Sequence, residues 1–334
     1  MELRALTAHA REHGSPHAVA FSPNHVLLGP PGESRTPGLI PMDEPQRQGS
    51  RVIPYTVNAP ARMRQLMEWG VDGLISDSAD LLREEVARFH DGRWLAPDGA
   101  ILPAFSAQGH RGSRDLRPEN TLPAFELALD LRLNVLETDA GVTADGVAVL
   151  SHNVDLEAKL CRRLDQGPYP EGAPVLLKDV TLEQLQTRYA VDRLLPDRPR
   201  QRNDASLSPV AVAFARERNL RHPYVVPSLA QLFDFVAFYA AYYRTGEGAQ
   251  HPEAALRAAN AERVEFNVET KVGPEFDAQT LDIPTFTRAV LASIRASGLT
   301  PRVMLQSFDP RSLRISHREA PLLRTAFLFE PPSP

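Results

Sequence analysis

Apolar positions along the chain repeat with two different periods, and the periods take turns. Strand-type runs fall at 18–22, 52–57, 73–76, 104–110, 133–139, 263–270, 302–307 and 324–329. Helical periodicity marks 2–13, ended by Gly14; 61–69, with Gly70 just beyond; 79–89; and 122–131. Further helices are predicted near 181–189 and 209–219, and from Ser228 or Pro227 to about Tyr243. The last carries Leu229, Leu232, Phe233, Val236, Tyr239 and Tyr243 on one side, a pattern of core packing rather than of a substrate cage. Proline, glycine and polar residues break the periodicity at 29–49, read as a loop, and at 91–103, read as a linker with Asp91-Gly92 and Pro97-Asp98-Gly99 turns. They also fill a long insertion at about 154–226, a polar connection with a short helix at 244–262, and a proline-rich tail at 330–334.

Strand and helix alternate, so the strands are expected to be parallel, and the first 90 residues read as half of a parallel barrel. A length of 334 residues allows one large α/β barrel or two medium domains. Composition narrows the function classes. The chain is 43% hydrophobic and 24% charged, as soluble globular proteins are, and a net charge of −5 without a lysine-rich block argues against a nucleic-acid partner. Cys161 is the only cysteine, which excludes a disulfide framework and a cysteine-based zinc site. No apolar run is long enough for a membrane span. Met1–Gly14 carries charges where a signal peptide would be apolar, so the chain as written is expected in the cytoplasm, an exported ancestor remaining open. Nothing in the sequence fixes the oligomeric state.

The chemistry concentrates between Gln108 and Asn153. A strand over 104–110 ends in Gly109-His110-Arg111-Gly112, and Asn120 or Thr121 can cap the helix that starts at Leu122, with Pro123 in its first turn. A second strand runs from Leu133 to Val142. Strand, helix and strand in about 35 residues make a βαβ unit with a right-handed crossover. Glu137 and Asp139 are two apart on that strand and share a face, where two carboxylates repel unless a positive charge, commonly a hard divalent cation, sits between them. Asp145-Gly146 signals a hairpin whose return arm carries His152 back to the level of the carboxylates. Two histidines, His110 and His152, beside a carboxylate pair compose a metal-assisted acid–base site. On 263–271, Glu265, Asn267, Glu269 and Lys271 share the face opposite Val264, Phe266 and Val268; a polar face on a barrel stave is expected to line a site.

Each of these residues has a plainer reading. A lone histidine at a strand end is usually structural, and Glu137 with Asp139 can be a solvated strand end. Glu119 can be a helix N-terminal charge favoured by the dipole. Arg111 and Lys271 can be ion-pair partners of the carboxylates.

The motifs taken together resemble the glycerophosphodiester phosphodiesterase family. Its pattern of HRG, PENT, AF, ExD, TxDG and HD is matched in order by His110-Arg111-Gly112, Pro118-Glu119-Asn120-Thr121, Ala124-Phe125, Glu137-Thr138-Asp139, Thr143-Ala144-Asp145-Gly146 and Ser151-His152-Asn153. Asn153 departs from the family's usual Asp, which bears on activity or pH optimum if that Asp orients or charges the histidine. Glu269-Thr270-Lys271 is similar to the family's E-x-K, and Ser307-Phe308-Asp309 to its SFD. Tyr55-Thr56-Val57-Asn58 resembles WTVN, and Gly70 to Asp77 resembles the closing GVDGIITD, yet both precede the HRG motif here.

The resemblance therefore implies a circularly permuted (β/α)₈ TIM barrel of the phospholipase C-like phosphodiesterase type, a single domain over 1–334. Residues 1–90 would be the family's C-terminal portion, 91–103 a linker, and 104–334 its N-terminal portion with the insertion. Eight predicted strands suit that barrel, with the 147–152 arm as a hairpin extension; a joining of parts of two genes is the alternative. The resemblance implies a metal, Ca²⁺ or Mg²⁺, on Glu137, Asp139 and Glu269, and catalysis by His110 and His152. It places Arg111, Glu119, Lys271, Tyr55 and Asn58 around the phosphate and substrate. The implied activity is hydrolysis of a small-molecule glycerophosphodiester to glycerol 3-phosphate and an alcohol. The alternatives are a lysophospholipid or sphingophospholipid phosphodiesterase, and a phosphodiester-binding protein without catalysis.

Overall fold

The computed structural model describes residues 2–32, 39–165 and 174–330. Parts of the 29–49 loop, the insertion and the tail lie outside the described residues. In chain order the first half forms α1 (Glu2–Glu12), β1 (Ala20–Pro23), β2 (Leu28–Gly29), β3 (Ile40–Pro41), α2 (Asp43–Arg47), α3 (Pro60–Glu68), β4 (Gly73–Ser76), α4 (Ala79–Arg88), β5 (Ser106–Gly109), α5 (Leu122–Asp130), β6 (Val135–Val142) and β7 (Ala148–Leu150). The insertion adds β8 (Asp155–Leu156), β9 (Arg162–Arg163), β10 (Val175–Leu176), α6 (Leu182–Arg188), β11 (Tyr189–Ala190) and α7 (Pro209–Glu217). The chain ends with α8 (Leu229–Arg244), α9 (Ala254–Arg263), β12 (Glu265–Thr270), α10 (Ile283–Ser297), β13 (Val303–Ser307), α11 (Pro310–Glu319) and β14 (Arg324–Phe329).

Seven strands pair in parallel in the spatial order β1–β14–β13–β12–β6–β5–β4. The extended segment 52–57 closes the ring between β4 and β1. Ile53 and Tyr55 donate backbone hydrogen bonds to the Phe21 and Pro23 carbonyls (2.9 and 3.0 Å), while Asp72 and Ile75 donate to Val52 and Pro54 (2.9 and 3.1 Å). Pro54 has no N–H, so this stave lacks a regular ladder, but its carbonyl still accepts. The result is an α/β barrel of eight staves, each next to its neighbour in sequence, with the first stave meeting the last.

β4, β5 and β6 are buried along their whole length, as parallel staves covered on both faces must be. Outward residues such as Leu74, Leu136, Phe266 and Val268 pack under the helices. The interior departs from the branched aliphatics usual in such barrels. The Asn267 amide donates to both Gln108 Oε1 and Gln306 Oε1 (2.8 Å each), and the Gln306 amide donates to Glu137 Oε1 (2.8 Å). This buried polar ladder leads directly to the carboxylates at the strand C-terminal ends.

The helix caps follow the sequence. Thr121 caps α5, and Ser228 caps α8 in a reciprocal box with Gln231. The predicted apolar side of α8 is buried throughout. β7 returns antiparallel to β6, so it is a hairpin extension and not a stave.

Four segments differ from the sequence expectation. The 29–49 loop holds α2 and the short parallel pair β2–β3. The 91–103 linker is packed: Trp94 stacks on Phe89 and Phe105 at 4.5 and 4.0 Å between ring centroids. Helices α10 and α11 went unread, although Asp282 and Asp309 cap them and Pro284 and Pro310 sit in their first turns. The insertion builds its own small core from Leu156, Cys161, Leu177, Leu185 and Tyr189. Burial there pushes the Cys161 thiol up to about 12, as an inert cysteine requires. Among the described residues no helix is long and apolar enough to cross a membrane.

Candidate active site

Strand register brings the three carboxylates together. β12 lies beside β6 with Asn267 opposite Glu137 and Glu269 opposite Asp139. In a parallel pair, residues in register point the same way. Glu137, Asp139 and Glu269 are all buried, and each offers an oxygen within 4.8 Å of the others. Like charges this close destabilise one another. Burial and then Asp139 drive the Glu137 carboxyl well above its usual range. Burial alone would do the same to Asp139, but Arg111, His152 and Lys271 hold it low.

Two cations stand among the three carboxyl groups. Lys271 Nζ lies 2.7 Å from Glu269 Oε1 and 3.8 Å from Asp139 Oδ1. Arg111 Nε lies 3.2 Å from Asp139 Oδ2, and its Nη1 donates to Glu119 Oε1 at 2.7 Å. Asp139 Oδ1 is buried without a hydrogen-bond partner. An unsatisfied anionic oxygen among three all-oxygen donors fits a hard divalent cation.

The loop after β5 is shaped to deliver His110 and Arg111. Arg111 has φ +52 and Gly112 φ +84. A Cβ on Gly112 would sit 2.7 Å from the Ala124 carbonyl carbon, so helix α5 packs directly on this glycine. The turn aims the Arg111 N–H at Glu137 Oε2 (2.9 Å). Asn120, also at positive φ, leaves the helix cap to Thr121; its amide donates to Asp139 Oδ2 at 2.8 Å.

The histidines stand on either side of the carboxylates with unlike partners. His110 Nδ1 meets Asp77 Oδ1 at 2.5 Å, leaving Nε2 on the cleft side, 4.0 Å from Glu137 Oε2. Burial and Arg111 lower the His110 pKa, and Asp77 pulls the other way. The hairpin returns His152 as its spacing predicted, with the Ser151 N–H bonded to the Asp139 carbonyl at 3.0 Å. His152 Nδ1 meets Asn153 Oδ1 at 2.6 Å, and burial, opposed by Asp139, brings it down to about 4.

A cleft of about 190 Å³ joins these groups. It is lined by the charged and titratable groups His110, Arg111, Glu137, His152, Glu269 and Lys271, together with Tyr55, Phe308, Leu328 and Glu330. Tyr55 meets Phe308 edge to face at 5.8 Å.

Two expected contact residues lie elsewhere. Asn58 is not a cleft wall: its amide donates to Asp77 Oδ2 at 2.9 Å and its oxygen accepts the Asp77 N–H, so it stands behind the Asp77–His110 pair. Glu119 lines a side crevice with His152 rather than the cleft. It accepts hydrogen bonds from Arg111 and Arg114. Sequence reasoning missed Asp77, Arg114, Asn120 and Gln306. Asp77 carried a signal, since it ends a stave immediately after Ser76.

The family model of the glycerophosphoryl diester phosphodiesterase family matches residues 18–81 and 110–334. A crystal structure from Silicibacter pomeroyi DSS-3, whose name assigns it provisionally as a glycerophosphoryl diester phosphodiesterase, is 27% identical, with TM-score 0.50 over 67% of this chain and 64% of that one. A glycerophosphodiester phosphodiesterase of Caldanaerobacter subterraneus subsp. tengcongensis is 24% identical over 66% of this chain and 65% of the relative. Glycerophosphodiester phosphodiesterase domain-containing protein 4 of Mus musculus is 48% identical over 48 residues, 14% of this chain and 8% of the relative. The chain thus spans less than two thirds of each of these relatives. With the family model matched over most of its length, this chain belongs to the glycerophosphoryl diester phosphodiesterase family.

Proposed function

We propose that the protein hydrolyses glycerophosphodiesters to glycerol 3-phosphate and an alcohol by metal-assisted general acid–base catalysis. One observation carries this: three buried carboxylates lie together, Glu137 and Glu269 lining a cleft with two imidazoles and the cations Arg111 and Lys271, and Asp139 behind them with an unsatisfied oxygen. Glu137, Asp139 and Glu269 would hold Ca²⁺ or Mg²⁺, which supplies positive charge to a non-bridging phosphate oxygen. Arg111 and Lys271 hold the remaining phosphoryl oxygens.

The unlike partners of the histidines divide their work. Asn153 accepts the Nδ1 proton of His152 but adds no charge, so His152 stays neutral with a lone pair on Nε2. It takes the proton of the nucleophile, either water or the neighbouring glycerol hydroxyl; in the second case a cyclic phosphate forms as the alcohol leaves, and a water then opens it to glycerol 3-phosphate with the two histidines in exchanged roles. His110 is backed by the Asp77 carboxylate, which stabilises an imidazolium, and it gives its Nε2 proton to the departing alkoxide. Each role should contribute roughly 10²–10⁴-fold. The cleft is small, which favours a diester with a compact head group over one with an acyl chain.

We also read the chain as the family barrel in permuted order, in one domain. The two matched segments, the eight closed staves and the pairing of β1 with β14 support this. The test is turnover of glycerophosphocholine, other glycerophosphodiesters and a lysophospholipid with added Ca²⁺ or Mg²⁺, products identified. Glycerol 3-phosphate from the diesters is expected, and its loss in His110→Ala with circular dichroism unchanged. A lysolipid preferred over every diester, or binding without turnover, would overturn the proposal.

A further inference from the structure

The insertion reaches back to the Asp77–His110 pair. Residues 195–202 lie across the loops that follow β4 and β5. The Gln201 amide donates to the Arg114 carbonyl at 2.7 Å, and the Arg202 N–H to the Leu116 carbonyl at 3.0 Å. Arg200 pairs with Asp80 and, at 2.9 Å, with Asp115. Arg198 Nη1 donates to Asp77 Oδ2 at 2.6 Å. Arg198 does not line the cleft, so it reaches the reacting groups only through Asp77.

Asp77 is almost fully buried, and each oxygen has a task. Oδ1 faces His110, while Oδ2 takes hydrogen bonds from Asn58 and Arg198. A second cation waits: Arg114 Nη1 lies 4.0 Å from the same Oδ2. Without Arg198, the carboxylate is free to turn towards Arg114 and away from the imidazole. A bidentate-capable guanidinium fixes such a plane better than the single amide of Asn58.

We propose that Arg198 is a positioning residue for catalysis, contributed by the insertion, which locks the Asp77 carboxylate onto His110. The proposal rests on the reading that His110 takes part in the reaction. It makes the insertion part of the active site, with an order of 10–100-fold in turnover at stake.

The test uses the full metal-loaded chain with glycerophosphocholine. Arg198→Gln should lower kcat by about 10–100-fold with KM within about twofold, since the arginine touches no substrate. Arg198→Lys should recover part of the loss. Arg200→Gln, which loosens the same segment without touching Asp77, should keep wild-type kcat. In the Asp77→Asn background, Arg198→Gln should cost nothing more. The downfield His110 Nδ1–H resonance should shift in Arg198→Gln and stay in Arg200→Gln, a readout independent of turnover. Equal losses in Arg198→Gln and Arg200→Gln, additive losses with Asp77→Asn, or an unmoved resonance in Arg198→Gln would each overturn the proposal. An active His110→Ala variant beside a shifted resonance would instead strike the proposed function and leave the positioning intact.

Discussion

Asn153→Asp exchanges a neutral acceptor for a charged one at the same place. In the present chain the His152 Nδ1–H meets the Asn153 oxygen at 2.6 Å, and burial brings the imidazole down to about 4. An amide orients the ring without stabilising its cation; a carboxylate does both. An opposite charge at this range shifts a pKa by roughly 1–3 units, so His152 should rise to roughly 5–7. In free energy that is about 1.4–4 kcal/mol in favour of the imidazolium.

The sign separates the two roles. A general base works neutral, so a raised pKa moves the acid limb of the kcat/KM profile upward by roughly 1–3 pH units. At alkaline pH the variant should match the parent; near pH 6 it should be slower. A general acid works protonated, so the same substitution would instead raise activity at neutral pH and extend the alkaline limb. The measurement is a pH–rate profile with saturating metal, paired with a nuclear magnetic resonance titration of labelled histidine. An imidazole that titrates where it did before would refute the electrostatic argument. A faster enzyme at neutral pH would reverse the assignment of His110 and His152.

Three other perturbations test other parts of the structure. Metal removal should abolish turnover, and adding it back at about 100 times its Kd should stabilise the fold by about 2.7 kcal/mol, read as a rise in Tm; no shift with Ca²⁺ or Mg²⁺ would count against the carboxylate site. Glu126 accepts the Val210 and Ala211 N–H groups at the start of α7 (3.1 and 2.7 Å), and burial pushes its carboxyl up from 4.5 to about 8. A raised carboxyl favours the folded state most below pH 4.5, and that stability drains as pH rises towards 8, by up to about 1.4 kcal/mol per unit; Glu126→Gln should flatten this part of the Tm–pH curve. Gly112→Ala puts a Cβ against α5 at φ +84, so turnover should fall with a loss of stability of order 1–3 kcal/mol in chemical denaturation; wild-type behaviour would mean the loop yields.

Periodicity revealed faces, and faces were enough for part of the site. Alternation put Glu137 and Asp139 on one side of β6 and Glu269 on one side of β12, and parallel register then made them neighbours. The Asp145-Gly146 turn fixed where the hairpin reverses, and with it the height of His152. Both are local or nearly local facts, and sequence spacing records them. Asn58 was misplaced because a strand-end residue can face the cleft or the adjacent loop, and only the Asp77 N–H and carboxylate decide which.

The contacts that stayed illegible join segments with no shared period. Asp77 and His110 are 33 positions apart, and Asp77 and Arg198 are 121 apart. Nothing in an irregular, proline-rich segment announces that one of its arginines will turn inward while Asp197 beside it stays exposed. What selects Arg198 is the buried Asp77 oxygen, which must be satisfied by whatever reaches it. The demand for a cation at that point could have been stated from the barrel alone, since a buried carboxylate bonded to a histidine and an amide still carries its charge. Its supplier could not, because an insertion is free to answer the demand from any of its residues. The position of the need is set by the barrel staves that bury Asp77, and the group that meets it comes from a segment 121 positions away; activity of the Arg198 variants measures what that contact is worth.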